Sequence, residues 1–135
     1  MNTEIKEYPF VIFRRELGSN IIFANYEESL KIDLTIAQAI VANRLEFTEN
    51  EKHYLVLDVS HVRTVTPEAK KYMQQAEGGL KNILGAAFIA NNPVSELIAN
   101  VYVKTPKDFE ARFFSNKDEA IRWIIEHKQQ AIGKQ

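Results

Sequence analysis

Tyr54-Leu55-Val56-Leu57-Asp58-Val59-Ser60 is the stretch on which the fold turns. Four apolar residues stand side by side before Asp58, with no polar residue between them. A strand with one wet face alternates apolar and polar positions, so an unbroken run reads as a strand covered on both faces. That is the situation at the centre of a parallel sheet. A second run of this kind, Ile83 to Ala90, follows downstream and contains the small residues Gly85, Ala86 and Ala87, which let helices pack close to a sheet. Between the two runs lies Thr66-Pro67-Glu68: a hydroxyl that can cap, a proline suited to the first helical position, and a carboxylate that complements the helix dipole. Ala69, Tyr72, Met73, Ala76 and Leu80 continue as an apolar stripe, with Gly78-Gly79 expected to end the helix before Leu80. Strand, helix, strand in this arrangement predicts two adjacent, parallel, buried strands joined by a crossover.

Working outward, Phe10 to Leu17 and Ile21 to Tyr26 are β-rich runs flanking Gly18-Ser19-Asn20, which reads as a hairpin. A short extended piece is expected at Leu30 to Ile32. Thr35 with Gln38 has capping-box spacing, with Asp33 as a competing N-cap, and Ala37, Ile40, Val41 and Leu45 form the helical stripe that follows. Downstream, Asn92-Pro93 repeats the cap-then-proline start, and Val94, Leu97, Ile98, Val101 and Tyr102 share one face of a helix limited by Pro106. Ala111 to Phe114 is a short strand near an edge, and a last helix opens at Ser115 or Asn116. The predicted fold class is α/β: a mostly parallel central sheet with an N-terminal β-hairpin and about four helices, in a single domain over 1–135.

Composition narrows the function. With 17 Lys plus Arg against 18 Asp plus Glu the net charge is −1, which supplies no basic field for nucleic acid or anionic lipid. The absence of cysteine removes disulfides, zinc–thiolate sites and thiol catalysis. Met1 to Glu7 carries Glu4, Lys6 and Glu7 rather than an apolar signal segment, and Ile83 to Ala90 falls far short of the ~20 residues that span a bilayer. A cytoplasmic location without membrane insertion is expected.

From about Leu30 to Ile125 the chain resembles the STAS-like families, relatives of bacterial anti-sigma-factor antagonists, and within them a bacterial branch described as STAS/lipid-transfer-like. Leu55 to Ser60, the turn Ala87-Phe88-Ile89-Ala90-Asn91-Asn92-Pro93-Val94, and Phe113 to Trp123 carry the resemblance. It implies a STAS-like fold and binding rather than catalysis. In regulatory STAS domains a strand ending in Asp leads to an Asp-Ser-Ser-Gly segment, in which one serine accepts phosphate and controls partner binding. Counting from Asp58, the matching segment is Thr66-Pro67-Glu68-Ala69, with proline in place of the acceptor serine and glutamate beside it. That departure argues against the usual switch; Thr66 reads first as a plain N-cap, and Thr66 and Thr64 are the candidate phosphoacceptors if a switch is retained.

No catalytic or metal motif appears. Asp58, Ser60 and His61 lie close in sequence but lack a nucleophile elbow, and Asp58 reads better as the anchor of the following loop. His53, His61 and His127 lack ligand spacing and are expected at the surface or at caps. No cofactor is expected. The aromatic residues Phe10, Phe13, Phe23, Phe88, Phe109, Phe113, Phe114 and Trp123 are mostly core fillers, and an apolar ligand pocket among them is the alternative. In open α/β sheets, loops and helix starts gather at the C-terminal ends of the strands. The expected partner-binding residues there are Ser60, His61, Arg63, Thr64, Thr66, Glu68, Asn91 and Asn92. The expected function is a regulatory or adaptor domain for a protein partner, with a carrier of a small apolar or lipid-like ligand as the alternative. The Val94 to Tyr102 face leaves a homodimer open, because periodicity does not separate a core face from an interface.

Overall fold

A computed structural model describes residues 2–133. Its main sheet has six strands in the order β1 (Thr3–Glu7), β2 (Val11–Glu16), β3 (Ile21–Tyr26), β5 (His53–Asp58), β7 (Ile83–Ile89) and β8 (Ala111–Phe114). The first three form an antiparallel meander, and every pairing from β3 onward is parallel. A separate two-stranded parallel sheet joins β4 (Leu30–Ile32) to β6 (Val62–Val65). Four helices complete the fold: α1 (Leu34–Phe47), α2 (Pro67–Met73), α3 (Pro93–Lys104) and α4 (Lys117–Gly133).

The central pair behaves as its composition requires. β5 and β7 are adjacent and parallel, with Leu55 opposite Ala86 and Leu57 opposite Phe88. Leu55, Leu57, Ala86 and Phe88 face a core built with α1, α2 and α3, while Tyr54, Val56, Ala87 and Ile89 face α4 through Ala120 and Ile124. All three crossovers therefore lie on one face and α4 alone covers the other. Gly85 is needed there, since a Cβ on it would stand 2.8 Å from the His127 ring. That ring stacks on Trp123 at 5.0 Å and meets Tyr54 edge-on at 6.0 Å.

Several local expectations change. β1 and β6 are additional to the expected strands; β1 is largely exposed and β6 has only four residues, with Arg63 and Thr64 exposed between its two valines, so neither carries an apolar run. Asp33, not Thr35, caps α1, its Oδ1 accepting from the Ile36 N–H at 2.9 Å. Helix α2 ends at Met73, before the Gly pair, and Ala76 is exposed beyond it. Gly79 is nevertheless required, because an added Cβ would lie 2.2 Å from the Met73 carbonyl oxygen. Asn116 rather than Ser115 caps α4, accepting from the Glu119 N–H at 2.9 Å. In α1 the buried stripe runs Ala37, Ile40, Val41, Arg44, Phe47, placing an arginine among apolar residues.

His53 is not at the surface: it is 1% exposed at the head of the central strand, with Nδ1 2.8 Å from the Glu51 carbonyl. Its Nε2 has no partner among the described residues. Burial, reinforced by the charges of Arg44 and Arg15, holds its pKa down at about 4, against the opposing pull of the Glu51 carbonyl.

Two outcomes are expected. The Thr66 Oγ1 accepts from the Ala69 N–H at 3.2 Å, so Thr66→Ala lowers stability by about 1 kcal/mol in urea unfolding. Because His53 titrates lower folded than unfolded, the unfolded chain takes up a proton first as pH falls. Stability is full above the ordinary value of 6.5 and drops between there and about 4, by up to about 3 kcal/mol. His53→Gln flattens that limb of the unfolding midpoint against pH.

Candidate functional site

The C-terminal ends of β5 and β7 lead into a tied set of turns. The Asp58 carboxylate accepts the Ser60 backbone N–H at 3.0 Å through Oδ1, and the same oxygen accepts the Ser60 hydroxyl. This closes the turn after β5 and gives Asp58 the anchoring role expected of it. His61 does not join them. Its Nδ1 lies 3.1 Å from Glu28 Oε1, on the exposed side of the turn. Asp58, Ser60 and His61 thus do not converge as a nucleophile, base and orienter. Among the described residues no three His, Asp or Glu side chains are grouped to hold a metal ion.

Asn92 ties the two strand ends together. Its Nδ2 donates to the Ser60 carbonyl at 2.9 Å, while its Oδ1 accepts from the Ser95 N–H at 2.9 Å. Ser95 Oγ in turn accepts from the Asn92 N–H at 3.2 Å and donates to the Asn92 carbonyl at 3.0 Å, which makes a reciprocal cap at the start of α3. One side chain therefore starts a helix and holds the neighbouring loop. Asn91 beside it is exposed.

Residues beyond Ser60 are a strand rather than a loose loop. β6 pairs with β4, with Thr64 opposite Lys31 and Val65 opposite Ile32, and the Thr66 N–H donates to the Ile32 carbonyl at 2.9 Å. Val62 is buried and Val65 half-buried, so both anchor the strand, while His61, Arg63, Thr64 and Glu68 face solvent. Thr66 is half-buried and spends its oxygen on the cap of α2, and Thr64 is exposed. The N–H groups at these helix starts are partly used. Pro67 has none, Thr66 takes that of Ala69, and Asn92 takes that of Ser95.

Two surfaces flank β6. On one side Glu28, Ser29, His61, Arg63, Asn92 and Val94 line a shallow polar depression open to solvent. Glu28 and Ser29 were not anticipated. They come from the turn before β4, where Ser29 adopts a positive φ of 56°, and nothing in their residue types marks them. On the other side Thr64, Val65, Lys70, Leu97, Ile98 and Val101 line an apolar groove. Val94 is 47% and Leu97 70% exposed along its rim. The α3 stripe is therefore divided: Ala99 is buried and Ile98 and Tyr102 pack on the core, while Val94 and Leu97 do not.

Residues 15–128 match a family described as a domain of unknown function, DUF7793. No curated protein matches the chain. Among solved structures the chain is similar to a crystal structure of an uncharacterised protein of the DUF3478 family with a SpoIIAA-like fold, from Shewanella loihica PV-4. The two share 16% identity over 90% of each chain, with a TM-score of 0.54. At that identity the likeness establishes the fold and nothing further. The chain belongs to the DUF7793 family, on a SpoIIAA-like, that is STAS-like, α/β fold.

Proposed function

We propose that this chain is a non-enzymatic, cytoplasmic regulatory or adaptor domain that docks a protein partner on the face formed by Ser60 to Glu68 and the start of α3. The observation that carries this reading is the pairing of exposed Leu97 and Val94 with the polar side chains of Thr64 and Lys70 in the same groove and of Arg63 beside Val94. Protein interfaces combine a small apolar centre with polar surroundings that fix orientation. The apolar groove beside β6 supplies the first and the strand's outward side chains supply the second. The hydrogen bonds through Asn92 and Asp58 hold the face ready, which lowers the ordering cost of binding. No helix among the described residues is long and apolar enough to cross a membrane. Carriage of a lipid-like ligand has less support, because the apolar cavity under the helices measures about 60 Å3. Drug-sized ligands occupy pockets of about 300 Å3 or more.

Asn92→Ala removes both the cap of α3 and the tie to Ser60, at a cost of about 1–2 kcal/mol. Hydrogen exchange speeds up over residues 59–65 while β7 keeps its protection; unchanged exchange there means the pairing of β6 with β4 suffices to hold the face. For the docking face, the folded double variant Arg63→Glu, Glu68→Lys and the single variant Leu97→Asp should each lose a partner that the wild-type chain retains in a pull-down. Sedimentation velocity of the isolated chain separates a second copy from a different protein. A partner held equally by all three chains, with a hydrogen-exchange footprint away from residues 60–68 and α3, places the function elsewhere.

A further inference from the structure

The α1 stripe buries Arg44, 3% exposed, on the apolar side of its helix. Two of its nitrogens are used: Nη1 donates to the Gly79 carbonyl at 3.2 Å and Nη2 to the Lys81 carbonyl at 2.8 Å. These bonds pin the turn after α2, and they are a sufficient structural reason for a long polar side chain here. They do not account for the rest of the group. Its Nε–H has no acceptor among the described residues, and no carboxylate pairs with its charge. Burial lowers its pKa only to about 10, with the phenols of Tyr26 and Tyr72 opposing, so the group remains a cation at neutral pH. A buried charge is tolerated when an opposite charge or a full set of hydrogen bonds accompanies it, and here both are incomplete.

Arg44 lines the cavity of about 60 Å3 between the sheet and helices α1, α2 and α3, which is partly open to solvent. Leu55, Leu57, Ala86 and Phe88 supply an apolar wall from β5 and β7, and Tyr26 and Tyr102 line it from β3 and α3. Neither phenol has a hydrogen-bond acceptor among the described residues. Burial pushes Tyr26 up to about 12 against the opposing charge of Arg44, and raises Tyr102 as well. A cation with no carboxylate partner and two phenol donors thus line one small apolar space.

We propose that this cavity binds a small monocarboxylate of the size of acetate or propionate, its carboxylate on the Tyr26 and Tyr102 hydroxyls beside the Arg44 charge and its alkyl end against Leu55, Ala86 and Phe88. Charge selects the ligand class, since an anion is the group the cavity lacks, and hydrogen bonds to ionised acceptors are the strong ones. Volume selects the size. An engineered apolar cavity of ~150 Å3 admits benzene, and this one is less than half as large, room for a few heavy atoms. The site is independent of the docking face, and either stands if the other fails.

The test is titration of the full-length chain with sodium propionate at constant ionic strength, followed by 15N–1H chemical shifts and calorimetry. Saturable shifts centred on Tyr26, Arg44, Ala86 and Phe88 are expected, with 1-propanol, which has the same tail and no charge, producing none. Tyr26→Phe keeps the ring, removes one donor and weakens binding by about tenfold. Ala86→Leu fills the cavity and abolishes binding, with circular dichroism confirming its fold. Should Ala86→Leu unfold, Tyr26→Phe and the propanol comparison decide alone. The proposal is overturned if propionate does not saturate, if 1-propanol gives the same shifts, or if Tyr26→Phe binds propionate as the wild type does.

Discussion

Burial of the β5–β7 pair on both faces is the constraint to which the rest of the molecule answers. Neither strand offers a side that water could cover, so each face needs its own layer. One face is met by α1, α2 and α3, which the chain places there by repeating the same crossover as it moves along the sheet. The other is met by α4, brought close because Gly85 and Ala87 leave room for the His127 and Ala120 side chains. The small residues of β7 have an opposite effect on the first face. There Ala86 fills little volume, and the stack of Phe88 on Tyr102 closes only part of the gap.

The parts of the fold that depend on this constraint were legible in the sequence. Unbroken apolar runs, cap-proline pairs at Thr66-Pro67 and Asn92-Pro93, and the Gly18-Ser19-Asn20 break correspond to β5, β7, the starts of α2 and α3, and the β2–β3 hairpin. What was not legible lies where burial is partial or local. β1 pairs on one side only and exposes most of its residues, so nothing forces it to alternate. β6 has four residues and pairs outside the main sheet. Arg44 shows the opposite case. It stands seven residues after Ala37 on the stripe, so the periodicity that located α1 also placed position 44 inside, but residue type drew the reading to Leu45. The expectation of His53 at the surface or at a cap fails for the same reason, because it heads a buried strand.

The candidate face was legible as a place and not as a composition. The strand ends and the Asp58 turn followed from chain order and general α/β geometry. The engagement of Asn92 with Ser60, the outward pairing of His61 with Glu28, and the exposure of Leu97 depend on how the loops settle against each other. Residue-type patterns carry no information at that range. They do explain why the cap positions matter twice, since Asx and hydroxyl side chains that satisfy a helix start have a second group free to bind a neighbouring turn.

The unequal covering of the two sheet faces has a consequence for the nascent chain. The crossover helices arrive between strands, so their face is closed as the sheet grows, and the strand order lets each new strand add to the edge left by the last. The face of Tyr54, Val56, Ala87 and Ile89 waits for α4, which follows the final strand. Until that helix leaves the ribosome, two apolar strands stand with one bare side. This is the interval in which intermolecular association competes with folding, and in which a chaperone would have a surface to hold.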